Sequence, residues 1–286
     1  MSQRYLIVNG DDFGVSEEVN EAVILAHRRG ILTSCSLMPG GAAVEGAVRL
    51  ARENPGLAVG IHVACVAGKS VLPHREIPHV VDRDGNFPAD PALAGLKYFF
   101  CKRSRKELFR EITAQFEKFC ASGLRCSHID SHCHMHVNPA VFGIVAELGE
   151  QYGIRRMRVP DDDFFAAVPF LPKPLAAAGY ALVFKLLAAL MRTKLRGRGF
   201  GFASRVYGNL LTGNISREYV LSALDKVPPG VSEIYFHPAL LPDPGPDDPK
   251  KVQLLRELVI LLDPEVRSKI DTLGILPANY LDLDRF

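Results

Sequence analysis

The chain has 286 residues, of which 48% are hydrophobic and 23% charged, the proportions of an ordinary globular protein. This excludes a disordered, collagen-like or disulfide-framework chain. The 34 Lys and Arg against 32 Asp and Glu leave +2, so the whole chain has no charge drive toward nucleic acid, and no nucleic-acid partner is expected.

Tyr5–Val8 is a short apolar run suited to a buried parallel strand, ending in the polar turn Asn9-Gly10-Asp11-Asp12-Phe13-Gly14. A helix follows from Ser16 to His27, with Ser16 as N-cap and Gly30 closing it. Ile31–Met38 reads as a strand, Ala43–Arg52 as a helix and Leu57–Val63 as a strand containing His62. From 64 to 102 the periodicity is lost, and a loop this long in a compact fold is usually functional. Ser104–Ala121 is helical, Ser127–His132 a strand, Ala140–Tyr152 a helix and Arg155–Val159 a strand. A second insertion spans 161–211. Ser216–Asp225 (helix), Glu233–His237 (strand) and Pro249–Leu262 (helix) precede a closing segment, Ile275 to Asp284.

Alternating β and α units imply a parallel sheet with chemistry at the strand carboxyl ends. The expected fold is a single domain over 1–286: an irregular β/α barrel of about seven to eight units, with both insertions on the strand C-terminal face. An open doubly wound sheet is the alternative. Six cysteines without a C-x-x-C read as reduced thiols. The first residues lack the apolar core of a secretory signal, and no segment reaches about 20 uninterrupted apolar residues, so a cytoplasmic location is expected.

The polar residues cluster where the strands end. Four of the nine histidines lie between 128 and 136, in His128-Ile-Asp130-Ser-His132-Cys-His134-Met-His136. His128, Asp130 and His132 share one strand face, but 128 and 132 lie roughly 13 Å apart in an extended strand. The ligand to a shared ion should therefore be the one nearest the carboxyl end, His132. His62 and one of Asp11 or Asp12 would complete the set, leaving positions open for water and substrate. Asp130 reads either as a partner orienting a ligand from behind or as a turn acceptor. Two adjacent aspartates repel unless a cation or proton separates them, which suits one ligand and one base. An Asx turn and helix cap is the plainer reading of the pair.

The motifs Val8-Asn9-Gly10-Asp11-Asp12-Phe13-Gly14, Gly60-Ile61-His62, the 128–136 histidine run and Phe236-His237-Pro238 resemble, in order, those of the YdjC-like carbohydrate deacetylases. The resemblance runs from about residue 4 to the C-terminal region. It implies a β/α-barrel enzyme, similar in layout to NodB-type polysaccharide deacetylases, that removes acetyl from N-acetylated sugars with one divalent ion. Carried over by motif, Asp12, His62 and His132 would hold the metal, Asp11 would act as base, and His237 would protonate the leaving amine. Arg158, in Arg158-Val-Pro160, would steady the base, with Asp130 and His134 near ligand or substrate. Zinc suits one Asp and two His, while Mg, Mn or Co suit a site with open positions. Gly10 stands where Ala is usual, His62-Val-Ala-Cys65 replaces the usual run, and Cys133 sits among the histidines; the last two alter the pocket lining.

Residues 175–191 are apolar apart from Lys185, and Arg192, Lys194, Arg196 and Arg198 follow. This reads as an interfacial membrane contact over 175–198, at the inner membrane face, or as a helix buried in the barrel or in a homodimer. The insertions and Ser34-Cys-Ser-Leu-Met-Pro-Gly-Gly41 also resemble the hopanoid-biosynthesis-associated subgroup, which implies a lipid-linked acetylated amino sugar. The rival functions are an amidohydrolase or phosphoesterase, suggested by His132-Cys-His134, and a metal-dependent carbohydrate- or lipid-binding protein without catalysis.

Overall fold

The computed structural model describes residues 3–241 and 248–285. In chain order the elements are β1 (Arg4–Phe13), α1 (Glu17–Arg29), β2 (Ser34–Leu37), α2 (Val44–Glu53), β3 (Ala58–Val63), α3 (Pro91–Phe100), α4 (Lys102–Ala121), β4 (Cys126–Ser131), a 3-10 turn (His132–Val137), α5 (Pro139–Gln151), α6 (Phe164–Ala167), α7 (Pro174–Gly197), β5 (Arg205–Tyr207), α8 (Arg217–Asp225), β6 (Gly230–Phe236), α9 (Pro249–Leu262), α10 (Pro264–Thr272) and β7 (Ile275–Ala278). Local chemistry sets many of the boundaries. The Ser16 hydroxyl accepts from the Val19 amide to open α1, Asn138 does the same for α5, and proline opens α3, α5, α7, α9 and α10.

The closed barrel of seven to eight units does not form. Six parallel strands curl into an open half-barrel in the order β4-β3-β2-β1-β6-β5. β7 is added beside the first half of β1, where Arg4–Ile7 pairs with Ile275–Ala278. The strand expected at 155–159 makes only single bridges, Ile129 to Met157 and Arg156 to Gly201. Pro160 removes a ladder donor there, and β5 is three residues long, so no continuous ladder closes the gap.

Two elements depart from expectation in ways that matter to the site. β1 runs on through both aspartates, with a register shift between Gly10 and Phe13 and Asp12 at φ 64°. The bulge turns Asp12 away from the direction Asp11 takes. The insertions are also not plain loops: the first carries α3 and the second α7 and β5. The inner side of α7, at Ala188, Met191 and Leu195, is buried, but most of the helix lies on the surface, which removes the reading of it as a barrel-core helix. It is long and apolar enough to cross a membrane by length and composition alone.

Candidate active site

Because all strands run parallel, their carboxyl ends share one rim, and the side chains expected to do chemistry sit there. The bulge at Asp12 and the turn after β4 bring two of them together. Ser131 ends β4, and its hydroxyl accepts from the His136 amide at 2.8 Å and bonds His136 Nδ1 at 2.5 Å, closing a tight turn. Cys133 and His134 inside it hold φ of 52° and 51°. Left-handed backbone at non-glycine residues costs on the order of 1–3 kcal/mol each and collects at functional sites. The turn swings His132 back over the sheet, so that its Nδ1 lies 2.8 Å from Asp12 Oδ1.

His62, at the end of β3, puts Nε2 3.3 Å from the same Asp12 oxygen, and the three donor atoms fall within 4.8 Å of one another. His62 Nε2 is buried and has no hydrogen-bond partner, while its Nδ1 is held at 2.8 Å by Asp130 Oδ1. An imidazole fixed at one nitrogen by a carboxylate and bare at the other is the arrangement of a metal-ligating histidine. The donor set therefore fits a divalent ion. Asp11, His62 and Asp130 also lie close, but the Arg158 guanidinium already supplies the cation between those two aspartates.

Arg158 is fully buried. It grips Asp11 with two bonds of 2.7 and 2.8 Å, reaches Asp130 at 2.9 Å and Glu233 at 2.7 Å, and lies 4.6 Å over the Tyr235 ring. Asn9 donates to Asp11 at 2.8 Å and to Ser36, and Ser36 donates to Asp130 at 2.7 Å. His237 lies beyond β6, with Nε2 4.0 Å from Asp11 Oδ2 and Nδ1 3.8 Å from Glu257; its backbone amide donates to Glu257 at 2.6 Å.

Burial raises Asp12, but His132 and His62 outweigh it and hold the carboxyl well below its usual range. Burial likewise lowers His62, yet Asp130 and Asp12 lift it to about 10. Burial lowers His132, which Asp12 lifts to about 11. The pocket is thus anionic, and a dication placed among these groups would offset that charge. Burial raises Asp130 too, but Arg158 and His62 pull it well below normal.

Of the residues expected from sequence, Asp11, Asp12, His62, Asp130, His132, Arg158 and His237 form this one cluster. His134 stands one contact behind the cluster: it is buried with Nε2 2.9 Å from the hydroxyl of Tyr235, whose ring lies under Arg158, and burial lowers its pKa well below normal. His128 lies on the same strand face as Asp130 but further from the strand end, bonded to Ser127 and Ser36 and stacked on Tyr280 at 3.8 Å. Asn9, Ser36, Glu233, Tyr235 and Glu257 were missed. The one usable signal was a polar residue in an otherwise apolar parallel strand, as with Ser36 and Glu233, since such a group needs a buried partner.

The model of the YdjC-like protein family matches residues 5–272. The chain belongs to that family. It is 31% identical over 280 residues to a carbohydrate deacetylase of Geobacillus stearothermophilus, covering 97% of each chain. It is 29% identical over 287 residues to a chitooligosaccharide deacetylase of Salmonella paratyphi B, covering 98% of this chain and all of that one. A crystal structure from Enterococcus faecalis, of a protein whose suggested role is cellobiose-phosphate cleavage, superposes with a TM-score of 0.78 at 28% identity over 99% of both chains. The half-barrel, in place of the closed barrel, is thus an architecture that this YdjC-like chain shares with a solved structure.

Proposed function

We propose that this YdjC-like chain hydrolyses the N-acetyl group of an acetylated amino sugar, with a divalent ion held by Asp12, His62 and His132. The carrying observation is the convergence of Asp12 Oδ1, His62 Nε2 and His132 Nδ1 within 4.8 Å, beside an aspartate locked by arginine. The carbohydrate and chitooligosaccharide deacetylases among its relatives support the reading. A divalent ion at such a site supplies polarisation of the amide carbonyl and a water acidified toward about pKa 7. Asp11 accepts the water proton on Oδ2. Arg158 fixes its angle with two hydrogen bonds. Asp130 fixes His62 by its Nδ1. His237 delivers a proton to the departing amine, and Glu257 anchors its backbone on the face away from Asp11.

Zinc and magnesium both suit the donors. For the substrate, the resemblance of 34–41 and the insertions to the hopanoid-associated subgroup favours a lipid-linked acetylated amino sugar, a hopanoid glycolipid included. The His-x-His pair of an amidohydrolase is not favoured, because His134 turns to Tyr235 while His132 turns to Asp12.

The test is free acetate released from acetylated chito-oligomers and acetylated glycolipids under a panel of divalent ions. His132→Ala is expected to lose calorimetric metal binding and acetate release together while staying soluble. Acetate release at the parental rate in that variant would refute the assignment.

A further inference from the structure

The exposed apolar surface of this molecule is concentrated on two helices that pack against the same short turn. α3 and α7 both contact the 132–137 turn, the segment that carries His132. On α3, Leu93, Leu96 and Phe100 are exposed at i, i+3 and i+7, one stripe along one face. On α7, Leu182, Leu186 and Leu190 are exposed at i, i+4 and i+8, again one stripe. The opposite side of α7 is committed to the fold: Ala188, Met191 and Leu195 are buried, and Tyr180 donates to Asn209. Scattered surface leucines need no explanation, but two aligned apolar stripes beside a candidate catalytic mouth do.

Charge identifies the occupant. Residues 91–106, which contain α3 and its exit, hold five Lys and Arg and no Asp or Glu. Residues 164–217, which contain α7, hold eight Lys and Arg and no Asp or Glu. The rest of the chain keeps 21 Lys and Arg against 32 Asp and Glu, so these two segments carry the chain's excess of positive charge, with Asp162 and Asp163 as the acids beside α7. Some of these cations are held internally: Arg192 pairs with Asp161, and Arg205 reaches the same carboxylate. Lys185, Lys194, Arg196, Lys102, Arg103 and Lys106 are exposed. Apolar stripes flanked by exposed cations match the interface of an anionic bilayer, where the leucines enter the acyl boundary and the cations meet headgroup phosphates.

We infer that α3 and α7 together form a docking surface for an anionic lipid membrane, which sets the mouth of the site at the bilayer surface. The docking rests on the two helices and not on the chemistry proposed for the site, so each can fail alone. Because the inner side of α7 is packed against the domain, the helix lies along the interface and does not cross it.

The experiment is co-sedimentation of the full chain with vesicles of phosphatidylcholine alone and of phosphatidylcholine with phosphatidylglycerol. Binding is expected only to the anionic vesicles, and it weakens as NaCl rises. Leu96→Glu with Leu186→Glu is expected to cut binding at least tenfold. Lys106→Gln with Lys185→Gln is expected to cut it on the order of tenfold. Both pairs are surface changes, so circular dichroism melts and acetate release from a water-soluble acetylated oligomer stay parental. Equal binding to both vesicle types, no binding to either, or parental binding by the leucine pair variant would overturn the proposal. A concentration-dependent dimer that ignores vesicles would overturn it too, in favour of a second copy as the occupant.

Discussion

Arg158 holds three carboxylates in a site closed to solvent, and its stability consequence follows from what its loss would leave. Arg158→Met strands Asp11, Asp130 and Glu233 as buried negative charges. Removing one partner of a buried ionic set costs about 3–5 kcal/mol, which urea denaturation would read as a lower midpoint at unchanged slope. A second residue-scale effect lies at Asp162. One of its oxygens accepts from the Leu210 amide and the other has no partner. Burial raises this carboxyl to about 7. Its folded pKa therefore sits above the unfolded value near 4, so its contribution is full below about pH 4 and is lost as pH rises through 7. Asp162→Asn should flatten the fall in Tm between pH 4 and 8; a parental pH profile in that variant would show that Asp162 does not titrate there. These two residues mark the limit of residue-level reading. Arg158 was legible through its motif, whereas Asp162 looks like any loop aspartate until the fold closes over it.

At the scale of elements, the site depends on strands that tolerate no extra bulk behind the ligands. A Cβ on Gly60 would lie 2.3 Å from the His128 ring, two residues before His62. Gly60→Ala should therefore push His128 off Ser36 or shift β3, costing about 1–3 kcal/mol as overpacking does, read by thermal melt. It should also weaken metal binding measured by calorimetry, because β3 carries His62. Most elements were legible from periodicity and caps: α1, α4, α5, α8 and α9 lie close to where apolar spacing puts them. α3 was not, because its segment follows a run of prolines and charges and, apart from Ala94 and Tyr98, its apolar residues face outward. The strand expected at 155–159 failed for a different reason. Its alternation is real, but Arg158 turns inward as the centre of an ionic cluster, and Pro160 ends the pairing. The acidic pair reads as a turn in sequence because a bulged strand and a turn look alike there.

At the scale of the molecule, the proposed ion would tie β1, β3 and the turn after β4 to one another, so it should act on global stability. A ligand at 100 times its Kd adds about 2.7 kcal/mol. For a chain of this size that is a rise in Tm of roughly 5–10 °C, from about 2–4 °C per kcal/mol. It should be visible by calorimetry on adding zinc or magnesium and reversed by a chelator. His132→Ala should show no rise. Whole-molecule features were the least legible in sequence: parallel order followed from alternating units, but closure depended on the length of β5 and on one proline. The place of β7 has a consequence for biosynthesis. Among the strands of this sheet β1 is made before the others yet lies in the middle, and its neighbours Gly230–Phe236 and Ile275–Ala278 are made after the rest. A nascent chain carrying β1 to β4 keeps one edge of its central strand unpaired until Gly230–Phe236 emerges. Ribosome-arrested chains ending before residue 230 should therefore bind chaperone and be cut readily by protease, while chains that expose residue 285 outside the exit tunnel are not.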